Sequence, residues 1–91
     1  MGEPETRLRL RENAVTWQQV EGETIVLDIA TSTYLGVNRS GSALWPALAE
    51  GATRGQLIDR LRETYRITEE QAGADVDEFL RVCRERDFLE P

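Results

Sequence analysis

Cys83 and two carboxylate pairs, Glu69–Glu70 and Asp75–Glu78, are the side chains whose types and spacing come nearest to chemistry. A thiolate nucleophile needs a neighbouring base or cation, and a carboxylate pair does acid–base work only where its members sit in different environments. The 91-residue chain has no histidine, so no Ser-His or Cys-His pair can form and the commonest metal ligand is missing. Cys83 falls on an apolar helical stripe, where a thiol reads as a small buried hydrophobe. The paired acids share their helix with many others, which is the pattern of a solvated face. No CxxC, HExxH or glycine-rich phosphate loop occurs, and Gly36 and Gly41 stand alone as backbone punctuation. The expectation is a protein that is not an enzyme and carries no cofactor or metal.

Charge narrows the partners. Seventeen acids against eleven bases give a net charge of −6, and the third helix below would meet phosphates with like charge. Nucleic acid is therefore disfavoured as a partner. One cysteine permits no internal disulfide and fits a reducing cytoplasm. The opening stretch MGEPETRLRLRENA has no apolar signal region, and no apolar run approaches the ~20 residues of a membrane span. The length fits one small domain with one core. Residues 1–12, polar and carrying Gly2 and Pro4, read as a flexible arm whose Leu8 and Leu10 cover an edge of the core. The domain proper reads as 13–91.

The pattern within that domain switches once. Residues 14–19 are rich in β-formers (Val15, Thr16, Trp17), and Glu21-Gly22 signals a turn. From Thr24 to Ala30 the side chains alternate, with Ile25, Leu27 and Ile29 on one face and Val26, Asp28 and Ala30 on the other. After a turn at Thr31-Ser32, Thr33 to Val37 forms a third strand, with Leu35 and Val37 alternating against Tyr34 and Gly36. Beyond Asn38 the period becomes helical. Ser40 or Ser42 caps a first helix bearing Leu44, Trp45 and Leu48, which Gly51 stops; Pro46 is tolerated only because it lies near the helix start. Thr53 and Gln56 are spaced as a capping box for a second helix, over 53–65. Thr68 and Gln71 repeat that spacing for a third, over 68–90. Its stripe is Ala72, Val76, Phe79, Leu80 and Cys83, with Glu69 and Glu70 at its start and Arg81, Arg84 and Arg86 towards its end, as the helix dipole prefers. The predicted class is α+β: a three-stranded antiparallel sheet followed by three helices (βββααα), in the outline of a winged helix-turn-helix.

A meander leaves its first and last strands as edges. The last, TYLGV, carries neither charge nor proline, the usual protections of an edge. Such an edge invites an incoming strand, with main-chain bonds giving affinity and side-chain pockets selectivity. Cover by the N-terminal arm or by a second copy of the chain is the competing expectation, a homodimer in the latter case. Beside this strand the third helix offers a mixed flank. There Phe79 and Val82 are suited to apolar anchors of a peptide, and Asp75 and Arg86 to its charges.

An ordered set of residues then points to a family. Leu27-Asp28, Tyr34, Asn38, Gly41, Leu44-Trp45, Gly51 with Thr53, Leu57 with Leu61, Asp75-Val76 and Phe79-Leu80 together resemble the PqqD-like proteins, also called RiPP recognition elements. The likeness covers about residues 14–90, and no single motif in it is decisive. Two positions depart from the pattern: Pro46 after the tryptophan, and RDFLE, where relatives often have glycine before the final apolar pair. The resemblance implies a protein that holds the leader of a ribosomally made precursor peptide as an added strand against the third strand and third helix. A stand-alone chain of this size looks most like the leader binders of lasso-peptide pathways, whose partners are a leader peptidase and an ATP-dependent cyclase. The sibling implication is a PqqD-type peptide chaperone serving a radical enzyme of quinone-cofactor synthesis; a winged-helix DNA-binding regulator is the remaining alternative. The site residues expected on this reading are Leu27, Thr33, Tyr34, Leu35, Gly36 and Val37 on the strands, and Asp75, Val76, Phe79, Val82 and Arg86 on the third helix.

Overall fold

The computed structural model describes residues 7–11 and 13–90. Along the chain it contains β1 (Arg7–Leu8), β2 (Val15–Val20), β3 (Glu23–Asp28), β4 (Thr33–Val37), α1 (Arg39–Glu50), β5 (Ala52–Thr53), α2 (Arg54–Tyr65) and α3 (Glu69–Glu85). The expected α+β order is present: β2, β3 and β4 form an antiparallel meander, and three helices follow. Glu21 and Gly22 both have positive φ, at 52° and 82°, which suits the two-residue hairpin between β2 and β3.

One face of the sheet is buried. It is the face of Thr24, Val26 and Asp28, packed towards the helices, whereas Ile25 and Ile29 are exposed. Leu44, Leu48, Leu57, Leu61, Val76 and Leu80 fill the centre beneath it. Trp45 joins the layers, with edge-on contacts to Trp17, Phe79 and Phe88 at centroid distances of 6.0–6.4 Å.

At the start of α3, Thr68 accepts the Gln71 N–H as the spacing predicts, but the Gln71 side chain bonds Asp75 and no reciprocal box closes. The structure departs from the sequence reading at four further places. First, residues 7–11 are tied down. β1 pairs with β5, Leu10 is buried and bridges Leu89, and Arg11 N–H donates to the Phe88 carbonyl. Leu8 and Leu10 do cover the core; positions 1–6 and 12 lie outside the described residues.

Second, Asn38 caps α1, its Oδ1 accepting the Gly41 N–H at 2.8 Å. Ser42 is engaged elsewhere. Its hydroxyl sits between the Thr24 N–H and the Val37 carbonyl, 3.2 Å from each, and completes the last rung of the β3–β4 ladder.

Third, Pro46 lies inside α1 rather than near its start. Proline offers no N–H to the carbonyl four residues back, which is that of Ser42. The Gln19 side-chain amide donates to this carbonyl instead, at 3.3 Å. Gln19→Leu should therefore cost about 1 kcal/mol, a melting shift of roughly 4–8 °C. In a Pro46→Ala background, where the helix supplies its own donor, the penalty should shrink. Equal penalties in the two backgrounds, read by thermal denaturation, would refute this account.

Fourth, α3 ends at Glu85. Asp87 has φ 60°, its N–H bonds back to the Arg84 carbonyl and the Phe88 N–H to that of Cys83. This is a Schellman ending with aspartate in the left-handed position usually taken by glycine. The reversal carries Phe88 and Leu89 into the core.

Candidate functional site

The rungs of the sheet fix which backbone groups remain free. In an antiparallel pair, bonded and non-bonded residue pairs alternate. The Ile29 N–H donates to the Ala14 carbonyl at 3.0 Å, so that pair is bonded. Following the register, Leu27 and Ile25 also turn their backbone groups towards β2. Thr24, Val26 and Asp28 turn theirs towards β4, where they meet Val37, Leu35 and Thr33. The Thr24 N–H aimed at Val37 through the Ser42 hydroxyl agrees with this parity. The N–H and C=O groups of Tyr34 and Gly36 therefore point outward along the free edge of β4.

Beside that edge runs a groove of about 350 Å³. Leu35, Gly36 and Val37 form one wall, and Asp75, Glu78, Phe79, Val82 and Arg86 of α3 form the other. Val26, Trp45, Cys83 and Phe88 lie at its base, with Asn38 and Ser40 at one end. The groove exists because Leu35 and Val37 share the inner face with Val26, while α3 turns its Phe79–Val82 flank towards them. Where a Cβ would stand at Gly41, Phe79 Cδ1 is 3.2 Å away and Val37 Cγ1 closer still. The small residue lets α1, α3 and β4 meet there.

Of the expected site residues, seven line this groove: Leu35, Gly36, Val37, Asp75, Phe79, Val82 and Arg86. Four are placed elsewhere. Val76 is fully buried in the core, whereas Val82 is exposed on the groove flank of α3. Leu27 and Tyr34 are paired on the outer face of the sheet, Tyr34 with 72 % of its surface exposed. Thr33 is exposed at the strand end. Four groove residues lie outside the expected set: Trp45, Phe88, Asn38, and Ser40, which the sequence offers only as a helix cap. The Asn38 cap that begins α1 at the end of β4 was the signal available for Asn38 and Ser40.

The electrostatics along the α3 wall are uneven. Glu78 is held by Arg81, whose hydrogen bond keeps its carboxyl below the usual range. Asp75 accepts from the neutral Gln71 amide at 3.0 Å and has no ion pair among the described residues. Arg86 has no ion pair among the described residues.

Burial pushes the Cys83 thiol up to about 12, outweighing an opposing pull from Arg84. A thiol at that value has about a thousandfold less thiolate at neutral pH than an ordinary cysteine. Iodoacetamide should therefore label Cys83 at neutral pH only after the protein unfolds; rapid labelling of the native state would contradict its burial. Among the described residues no cluster of His, Cys, Asp or Glu could hold a metal ion, and no helix is long and apolar enough to cross a membrane.

This fold, with an open strand edge beside an apolar groove, has the outline of a peptide-binding module. The sequence pattern of the family described as coenzyme PQQ synthesis protein D (PqqD) matches residues 23–89, and the chain belongs to that family. No curated protein matches it. Among solved structures it is similar to TbiB1 in complex with the TbiA(beta) leader peptide, with 27 % identity and a TM-score of 0.80 over 90 % of this chain and 94 % of that one. It is also similar to a lasso peptide synthetase B1 complexed with the leader peptide, with 19 % identity and a TM-score of 0.78 over 94 % and 100 % of the two chains. The second likeness is one of fold.

Proposed function

We propose that this protein is a RiPP recognition element that performs no chemistry itself. It captures the leader of a precursor peptide as a fourth strand on β4 and presents the remainder to a leader peptidase and an ATP-dependent cyclase in the cytoplasm. The observation that carries this reading is the outward-facing Tyr34 and Gly36 backbone beside an apolar groove. Main-chain pairing alone would accept any extended segment, so selectivity falls to side chains reaching Leu35, Phe79 and Val82. The sheet has a second open edge, β2, but the space beside it mixes Leu10, Val15, Trp17 and Ala49 with the charged Arg9, Arg11 and Glu90 and with Asn13, and among the described residues no helix wall faces that edge as α3 faces β4. The family description favours as second reading a peptide chaperone for a radical enzyme of quinone-cofactor synthesis; it would use the same groove. DNA binding is disfavoured by the exposed acids of α3, among them Glu69, Glu70 and Glu85.

The test is titration of a fluorescent leader peptide encoded beside this gene, with Phe79→Ala checked for folding. Weakened binding by the folded variant supports the groove. Unchanged affinity, or concentration-dependent self-association in sedimentation that the leader does not compete with, counts against it.

A further inference from the structure

The groove has a direction. At one end, Val37 and Phe79 both come close to Gly41, and Asp75 lies one helical turn before Phe79; Asn38 and Ser40, which follow Val37 in the chain, line the same groove. At the other end, Thr33 pairs with Asp28 and Asp28 with Val15. Ala14 then bonds Arg11, and Arg11 bonds the Phe88 carbonyl, just past Arg86. So Asp75 stands at the Val37 end and Arg86 at the Thr33 end. The lengths agree: Thr33 to Val37 spans about 13 Å of strand, and Asp75 to Arg86 about 16 Å of helix. Between them on α3 lie Phe79, towards the Val37 end, and Val82, with Leu35 on the strand wall of the same groove.

An added strand inherits this layout. Residues opposite Tyr34 and Gly36 form the bonded pairs and turn their side chains to the outer face. Residues opposite Val37, Leu35 and Thr33 turn theirs into the groove. The sheet is antiparallel throughout, and an antiparallel addition runs from the Val37 end to the Thr33 end. Its first inward residue meets Asp75, its second the apolar centre, and its third Arg86. The two charged groups are the ones along this wall that hold no opposite charge among the described residues.

We infer that the groove reads charge order: it selects an extended peptide with a cation, an apolar side chain and a carboxylate at successive inward positions, from N- to C-terminus. The inference rests on the strand-addition reading and adds its direction and register. Two synthetic peptides of identical composition test it, acetyl-Thr-Lys-Thr-Leu-Thr-Glu-Thr-amide and the form with Lys and Glu exchanged, each titrated into the full chain while amide shifts are followed by NMR. The first should bind about tenfold more tightly, from two half-exposed attractive pairs against two repulsive ones. The double variant Asp75→Lys/Arg86→Glu should reverse the preference. Equal affinities with the Tyr34 and Gly36 amides shifting would overturn the charge order and leave strand addition standing. Tighter binding of the exchanged peptide by the unmodified chain would overturn the antiparallel direction. No shift of those amides with either peptide at millimolar concentration would overturn the inference together with the edge reading.

Discussion

Gly36→Pro should abolish peptide capture while leaving the protein folded. Within an antiparallel meander, proline is tolerated only where no ladder bond needs its N–H. The Gly36 N–H faces outward from β4, so the substitution removes no β3–β4 bond, and the space where a side chain would start is open. The same change deletes one of two edge donors and puts a ring in the lane of the incoming strand. The lost bond alone is worth about 1 kcal/mol, and with the steric block the dissociation constant should rise at least tenfold (~1.4 kcal/mol). Leu35→Pro is the contrasting case: its N–H faces β3, so it should melt the sheet. Thermal denaturation and leader titration of both variants check the pair. Full leader affinity in folded Gly36→Pro would mean that the peptide does not use this edge.

Val82→Asp should lower leader affinity by roughly tenfold to a hundredfold with little loss of stability. Val82 is 38 % exposed on a helix surface, so its removal leaves no cavity, and the propensity penalty is below about 1 kcal/mol. In the complex the carboxylate would face an apolar side chain and lose water without a new partner, at a cost of about 1–3 kcal/mol. Phe79→Ala is less clean, because Phe79 also stacks edge-on against Trp45 at 6.0 Å, so both stability and binding should fall. Comparing the two by isothermal titration beside a melting curve separates anchor from core. Val82→Asp binding as tightly as the unmodified chain would remove α3 from the site.

The elements that sequence made visible are those specified by local chemistry. Glu21-Gly22 marks a tight hairpin through its positive φ, and Thr53 with Gln56 forms the reciprocal capping box that their spacing suggests. What stayed hidden was settled by distant partners. β1 and β5 are two residues each and exist only because Leu10 finds Leu89 and Leu48 across the core. The residue that starts α1 depends on Ser42 being required at Thr24, far away in sequence. The end of α3 escaped notice because Asp87 takes a conformation that glycine normally advertises. The site followed the same division. Its edge was legible from the absence of charge and proline in TYLGV. Leu27 and Tyr34 fell on the outer face because both sides of β3 carry apolar residues, so alternation alone could not say which side packs inward.

Amide hydrogen exchange of the leader complex tests the central claim most directly. Tyr34 and Gly36 should gain strong protection when the leader binds, while Leu35 and Val37, already turned towards β3, change little. Protection appearing instead at Val15, Trp17 and Gln19 on the β2 edge, with Tyr34 and Gly36 still exchanging freely, would contradict the account.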